Sequence, residues 1–208
     1  MLARPRLNEA QLDALRELFN IGIGRAAGSL SMVVRQPVDL SVPEVALHHT
    51  TSLDVMGALA MEQRLKIVSQ EVKGPFRGRS ALIFPENGGG AVVRAMVDSD
   101  LPPEVVDELQ EEALSELGNI MINACVGAMS EVLHARFDVG LPVFNLGSMQ
   151  ALVDAGPQEQ SVLLMIRIDM RLSKSNVDGF LAFMLSVDSF VELRDALDGM
   201  LQGIMQSA

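Results

Sequence analysis

The chain reads Asp13-Ala14-Leu15-Arg16-Glu17-Leu18-Phe19-Asn20-Ile21 near its start and Glu112-Ala113-Leu114-Ser115-Glu116-Leu117-Gly118-Asn119-Ile120 in its second half. Apolar residues recur in both stretches at helical spacing, so each reads as one amphipathic helix. A polar pattern repeats as well: Glu-x-x-Asn stands at the same place in both copies. A proline follows each asparagine at the same distance, Pro43 after Asn20 and Pro142 after Asn119. Shifted by 99 positions, Ile23, Gly28, Ser31, Val33 and Asp39 also meet identical residues at 122, 127, 130, 132 and 138. A period this long marks a duplicated half-domain, not a solenoid.

The halves run from about 8 to 98 and from about 107 to 204, inside a single domain. Each opens with a long helix, at 9–35 and 108–134. Asn8 with Gln11 supplies a capping box for the first. Pro102-Pro103 precedes the second, and Asp107 is its expected cap. Short apolar runs and alternation predict strands at 37–48, 58–72 and 78–84, then at 138–152, 161–172 and 179–187. A helix closes each half, near 88–97 and 189–198. The expected fold is α+β and internally duplicated. A mostly antiparallel six-stranded sheet carries two long motif-bearing helices, related by pseudo-two-fold symmetry.

Composition narrows the function. The formal net charge is −11, no Lys/Arg run occurs, and tryptophan and tyrosine are absent. Phosphate backbones need clustered cations and bases need stacking partners, so a nucleic-acid partner is disfavoured. No run approaches the ~18 apolar residues of a membrane span. The single cysteine and the lack of an apolar leader are the pattern expected of a cytoplasmic protein.

At about 100° per residue, positions 13, 17, 20 and 24 fall in one line along a helix. Asp13, Glu17, Asn20 and Gly24 therefore share a stripe opposite Leu12, Leu15, Phe19, Ile23, Leu30 and Val33. Glu112, Glu116, Asn119 and Asn123 form the second stripe. A solvated helix face accounts for one such stripe, because Glu and Asn are ordinary surface residues. It accounts less well for two. Asparagine is a mediocre helix former, yet it recurs mid-helix while neighbouring exposed positions diverge, as Arg16 to Ser115 and Arg25 to Ala124.

The doubled Glu-x-x-Asn with its downstream proline resembles the signature of the CheC-type chemotaxis phosphatases, a family that includes CheC, CheX and the flagellar switch protein FliY. The resemblance covers about residues 9–200. It implies hydrolysis of the aspartyl-phosphate of a CheY-like response regulator. Glu17, Asn20, Glu116 and Asn119 would be the catalytic residues, with Asp13 and Glu112 at the rim of the partner contact. It further implies that this chain binds no cofactor, that Mg²⁺ belongs to the response regulator, and that a CheD-type deamidase is a possible second partner. The alternative is a non-catalytic adaptor or phospho-regulator-binding module related to the flagellar switch. Glu112 stands where the family pattern has Asp or Ser, and Gly118 loosens the second helix by ~1 kcal/mol relative to alanine. Both features point to a weaker second site.

Other features read as structural. Gly88-Gly89-Gly90 lacks the Lys-Ser/Thr of a phosphate-binding loop and is taken as a turn. Cys125, among small residues of the second helix, is taken as packing rather than a nucleophile. His48, His49 and His134 show no metal-ligand spacing.

Overall fold

The structure is a computed structural model; it describes residues 6–49, 64–96, 102–154, 161–172 and 175–207. The first long helix, α1 (Glu9–Val34), begins at the capping box. The Gln11 backbone N–H donates to Asn8 Oδ1, and the Asn8 N–H donates to Gln11 Oε1, both at 2.8 Å. Leu15, Leu18, Phe19, Ile23, Ala26 and Leu30 are buried on its inner side, whereas Val33 is exposed.

The second long helix starts differently from the expectation. Residues 103–108 form a separate short helix, α3 (Pro103–Glu108), followed by α4 (Gln110–Val132). Asp107 lies inside α3 and does not cap α4; Leu109 holds that place with no side-chain cap. Its backbone N–H donates to Val105 O, and Leu109 O accepts from Ala113 N. The hydrogen-bond ladder thus passes across the break, and no capping side chain is needed.

The strands are β1 (Val38–His49), β2 (Leu65–Lys73), β3 (Gly78–Pro85), β4 (Asp138–Val139), β5 (Val143–Gly147), β6 (Ser161–Leu172) and β7 (Ser175–Ser186). Expected strand positions 58–63 lie outside the described residues. The expected strand over 138–152 is instead β4, β5 and a helix, α5 (Met149–Asp154). Ser148 begins that helix: its Oγ accepts from the Ala151 N–H at 3.2 Å. The sheet therefore has seven strands rather than six, all paired antiparallel, in the order β1-β6-β7-β3-β2-β4, with β5 also paired to β2. Exchanging β1, β2 and β3 for β4/β5, β6 and β7 leaves that order unchanged.

The two prolines sit at the two edges of the sheet. Ser41 opposes Asp169 and Glu44 opposes Arg167, so β1 holds one residue more than β6 between those pairs. Val139 opposes Val72 and Val143 opposes Ser69, so the other edge also holds one extra residue. Pro43 lies in the first interval and Pro142 in the second. Proline cannot donate to a ladder, and an edge bulge is where that loss is tolerated. The recurring proline distance is thus a matter of sheet construction.

Helices α1 and α4, with α2 (Gly90–Met96) and α6 (Val187–Ser207), cover one face through the larger core cluster. On the other face, Met149 and Leu152 of α5 pack against Leu65, Ile67, Ile83, Leu163 and Met184. The long helices meet where a Cβ on Gly22 would stand 2.7 Å from Cys125 Cα. Cys125 is fully buried in this contact, which pushes its thiol up to about 12. Such a thiol is inert at neutral pH. Arg25 on α1 and Glu131 on α4 clasp the pair from outside, with bonds of 2.9 and 2.6 Å. That contact lowers the Glu131 carboxyl below its ordinary range.

Both long helices end in a left-handed residue at equivalent positions, Arg35 (φ 53°) and His134 (φ 48°). A side chain there opposes the backbone by roughly 1–2 kcal/mol, which glycine relieves. Arg35→Gly and His134→Gly are each expected to raise the urea midpoint; a lowered midpoint for both would contradict this reading of the caps.

Candidate functional site

Asp13, Glu17, Asn20 and Gly24 all lie on the exposed side of α1, and Glu112, Glu116 and Asn123 lie exposed on α4. Asn119 is only half-exposed. Among the described residues, Glu17 and Glu116 have no ion-pair partner, and Asn20 makes no side-chain hydrogen bond. Asp13 is tied to Arg16 at 3.1 Å, one turn along its own helix. That pair is solvated and contributes ~0–1 kcal/mol.

The stripes are alike in residue type and unlike in setting. Phe19 is buried beneath α1, and its ring lies 5.5 Å from that of Phe183. The corresponding residue of α4 is Gly118, where a Cβ would come within 2.5 Å of Val68 Cγ1. Gly118 is therefore required for close approach to β2, a role beyond loosening the helix. Because α4 sits low on the sheet, Asn119 reaches a strand side chain. Gln70, 2% exposed on β2, donates from Nε2 to Asn119 Oδ1 at 3.2 Å and to Gly140 O at 2.8 Å. From the other side, Asn123 Nδ2 donates to Asn119 Oδ1 at 2.8 Å and to Asn119 O at 2.7 Å.

Neither helper exists in the first half. Gly24 stands where α4 has Asn123, with open space around it. Val68 opposes Phe144 as Ile166 opposes Val45, so the counterpart of Gln70 is Ile168, which has no donor. Sequence reading found both stripes but missed Gln70. Its signal was a carboxamide inside the otherwise mostly apolar run Leu65-Lys66-Ile67-Val68-Ser69-Gln70.

Gly88 and Gly89 lead from the turn after β3 into the short helix α2, whose first residue is Gly90; Gly89 has φ 77°, and Lys66 Nζ donates to Gly88 O at 3.2 Å. Among the described residues, no group of three or more His, Cys, Asp or Glu could hold a metal ion, and no helix is long and apolar enough to cross a membrane.

No protein-family model matches the chain. The CheY-P phosphatase CheC of Bacillus subtilis (strain 168) is 25% identical over 159 residues, spanning 74% of this chain and 75% of that protein. The flagellar motor switch phosphatase FliY of the same organism is 24% identical over 143 residues, 67% of this chain but 36% of that protein's length. In fold, the chain is similar to Thermotoga maritima FliY, with a TM-score of 0.72 at 17% identity, covering 94% of this chain and 100% of that one. It is also similar to the FliM middle domain from H. pylori, with a TM-score of 0.61 at 10% identity, covering 91% and 99%.

The close approach of α4 is testable by packing. Gly118→Ala is expected to cost about 1–3 kcal/mol in urea unfolding. With Val68→Ala added, the loss should be smaller than the sum of the two single losses; simple additivity would show that the residues do not meet.

Proposed function

We propose that the chain is a member of the CheC-type family and hydrolyses the aspartyl-phosphate of a CheY-like response regulator. The observation that carries this reading is the solvent-facing Glu17–Asn20 pair, whose side chains are free of partners among the described residues. The same residue pair recurs as Glu116–Asn119 on a second helix, where Glu116 is exposed and Asn119 Oδ1 already accepts from Gln70 and Asn123. Functional groups held on a rigid helix and left unsatisfied are available to a partner.

The chemistry suits these residue types. Water oxygen attacks phosphorus in line, and the bond between phosphorus and the aspartyl oxygen breaks. Inorganic phosphate and a free carboxylate result, and the water's second proton stays on phosphate or passes to solvent. An acyl phosphate is already activated, so the site must chiefly aim the water. A carboxamide oxygen can accept a hydrogen bond from that water while carrying no charge to repel the phosphoryl oxygens. Asn20 is assigned that task. Glu17 would fix the helix in register by pairing with a cation of the regulator, and Asp13 and Glu112 at the rim would tune encounter. Mg²⁺ would arrive with the regulator and screen the phosphoryl charge there.

A second reading is a non-catalytic docking module; its support is that a chain of similar fold is found in the FliG-FliM complex from H. pylori, with a TM-score of 0.58 at 14% identity. A CheD-type partner rests on the family resemblance alone.

The deciding assay is release of phosphate from a phosphorylated CheY-like receiver domain in the presence of Mg²⁺. The wild-type chain should shorten the phosphoryl lifetime. Asn20→Ala with Asn119→Ala should lose about 10²-fold or more of that acceleration, as expected for removing a positioned polar group. An unchanged rate in the double variant would remove the catalytic reading, and binding with no change of lifetime would favour the docking module.

A further inference from the structure

We propose that Gln70 and Asn123 are positioning residues that hold Asn119 as a hydrogen-bond donor only. On this view the second stripe binds the phospho-regulator without aiming water, and hydrolysis runs at Glu17 and Asn20. The proposal rests on the phosphatase reading above.

The orientation of the Asn119 amide follows from its neighbours. Gly140 O is a carbonyl and can only accept, so the Gln70 group facing it at 2.8 Å is the NH₂. The same NH₂ then turns its second hydrogen to Asn119. Asn123 is fixed in the same way: its NH₂ faces the Asn119 backbone carbonyl at 2.7 Å and the Asn119 side chain at 2.8 Å. Two donors therefore converge on Asn119, and the atom between them must be Oδ1. A carboxamide oxygen has two lone pairs, and both are occupied.

What Asn119 has left is its own NH₂, which no described residue accepts. An N–H suits a phosphoryl oxygen. It does not suit an attacking water, whose lone pair must point at phosphorus rather than at a donor. Asn20 is in the opposite condition. Phe19 supports its helix, Gly24 has no side chain, and Ile168 has no donor, so its oxygen is available. Three differences between the halves, Phe19 against Gly118, Gly24 against Asn123 and Ile168 against Gln70, act in the same direction.

The test uses the full chain carrying Asn20→Ala, so that only the second stripe can act. Asn123→Ala or Gln70→Met is added, and dephosphorylation of a phosphorylated CheY-like receiver domain is followed with Mg²⁺. Gln70 Oε1 is itself buried without a partner, so methionine removes one unsatisfied group together with the donor. Releasing one lone pair of Asn119 should raise the residual rate by about fivefold, the weight of one hydrogen bond. The gain should vanish when Asn119→Ala is also present, which a merely structural role for Gln70 would not produce. Circular dichroism confirms folding, and if Gln70→Met does not fold, the surface variant Asn123→Ala decides. A residual rate that stays level or falls in the folded variants overturns the proposal. So does an Asn20→Ala chain as fast as wild type, and in that case the phosphatase reading stands. If Asn20→Ala with Asn119→Ala hydrolyses as fast as wild type, the phosphatase reading itself falls.

Discussion

The contact between α1 and α4 at Gly22 and Cys125 is the constraint on which the remaining structure depends. A Cβ at Gly22 would press on the Cys125 backbone, so the two helices can lie against each other only because that atom is missing. Buried side by side on one sheet, they turn their apolar sides inward and leave the Glu-x-x-Asn stripes outside. The Arg25–Glu131 pair reinforces the contact from solvent, where its contribution depends on salt. Burial of the Cys125 thiol in the same contact removes it from chemistry. The residues proposed to carry function are therefore the ones the packing leaves over.

The sheet gives that helix pair a platform whose order is unchanged when the halves are exchanged. Near-equivalence makes the differences informative. An extra edge residue at Pro43 recurs at Pro142, and a left-handed helix end at Arg35 recurs at His134. Against that background, the change from Phe19 to Gly118 alters how α4 sits on the sheet. It lowers α4 onto Val68 and brings Asn119 within reach of Gln70. Together with Asn123 and Gln70, that small residue separates two settings that the motif alone would make identical.

Much of this was legible in the sequence because it is local. The capping box at Asn8 and Gln11, the extent of α1 and the exposed stripe follow from spacing along one helix. Features that depend on partners far along the chain were not. Asp107 reads as a cap, but α3 continues the ladder into α4 and no cap is needed. The run 138–152 reads as one strand, yet the break at Pro142 and the Ser148 cap divide it. Gln70 lies 49 residues from Asn119 in sequence, and periodicity carries no record of that meeting. Gly118 reads as a weak helix position until Val68 is found beneath it.

The two stripes are told apart by a single-turnover comparison of Asn20→Ala with Asn119→Ala on the same phosphorylated CheY-like receiver domain. Asn20→Ala is expected to lose the larger share of the acceleration, by about tenfold or more over the loss in Asn119→Ala. Equal losses, or a larger loss in Asn119→Ala, would contradict that expectation.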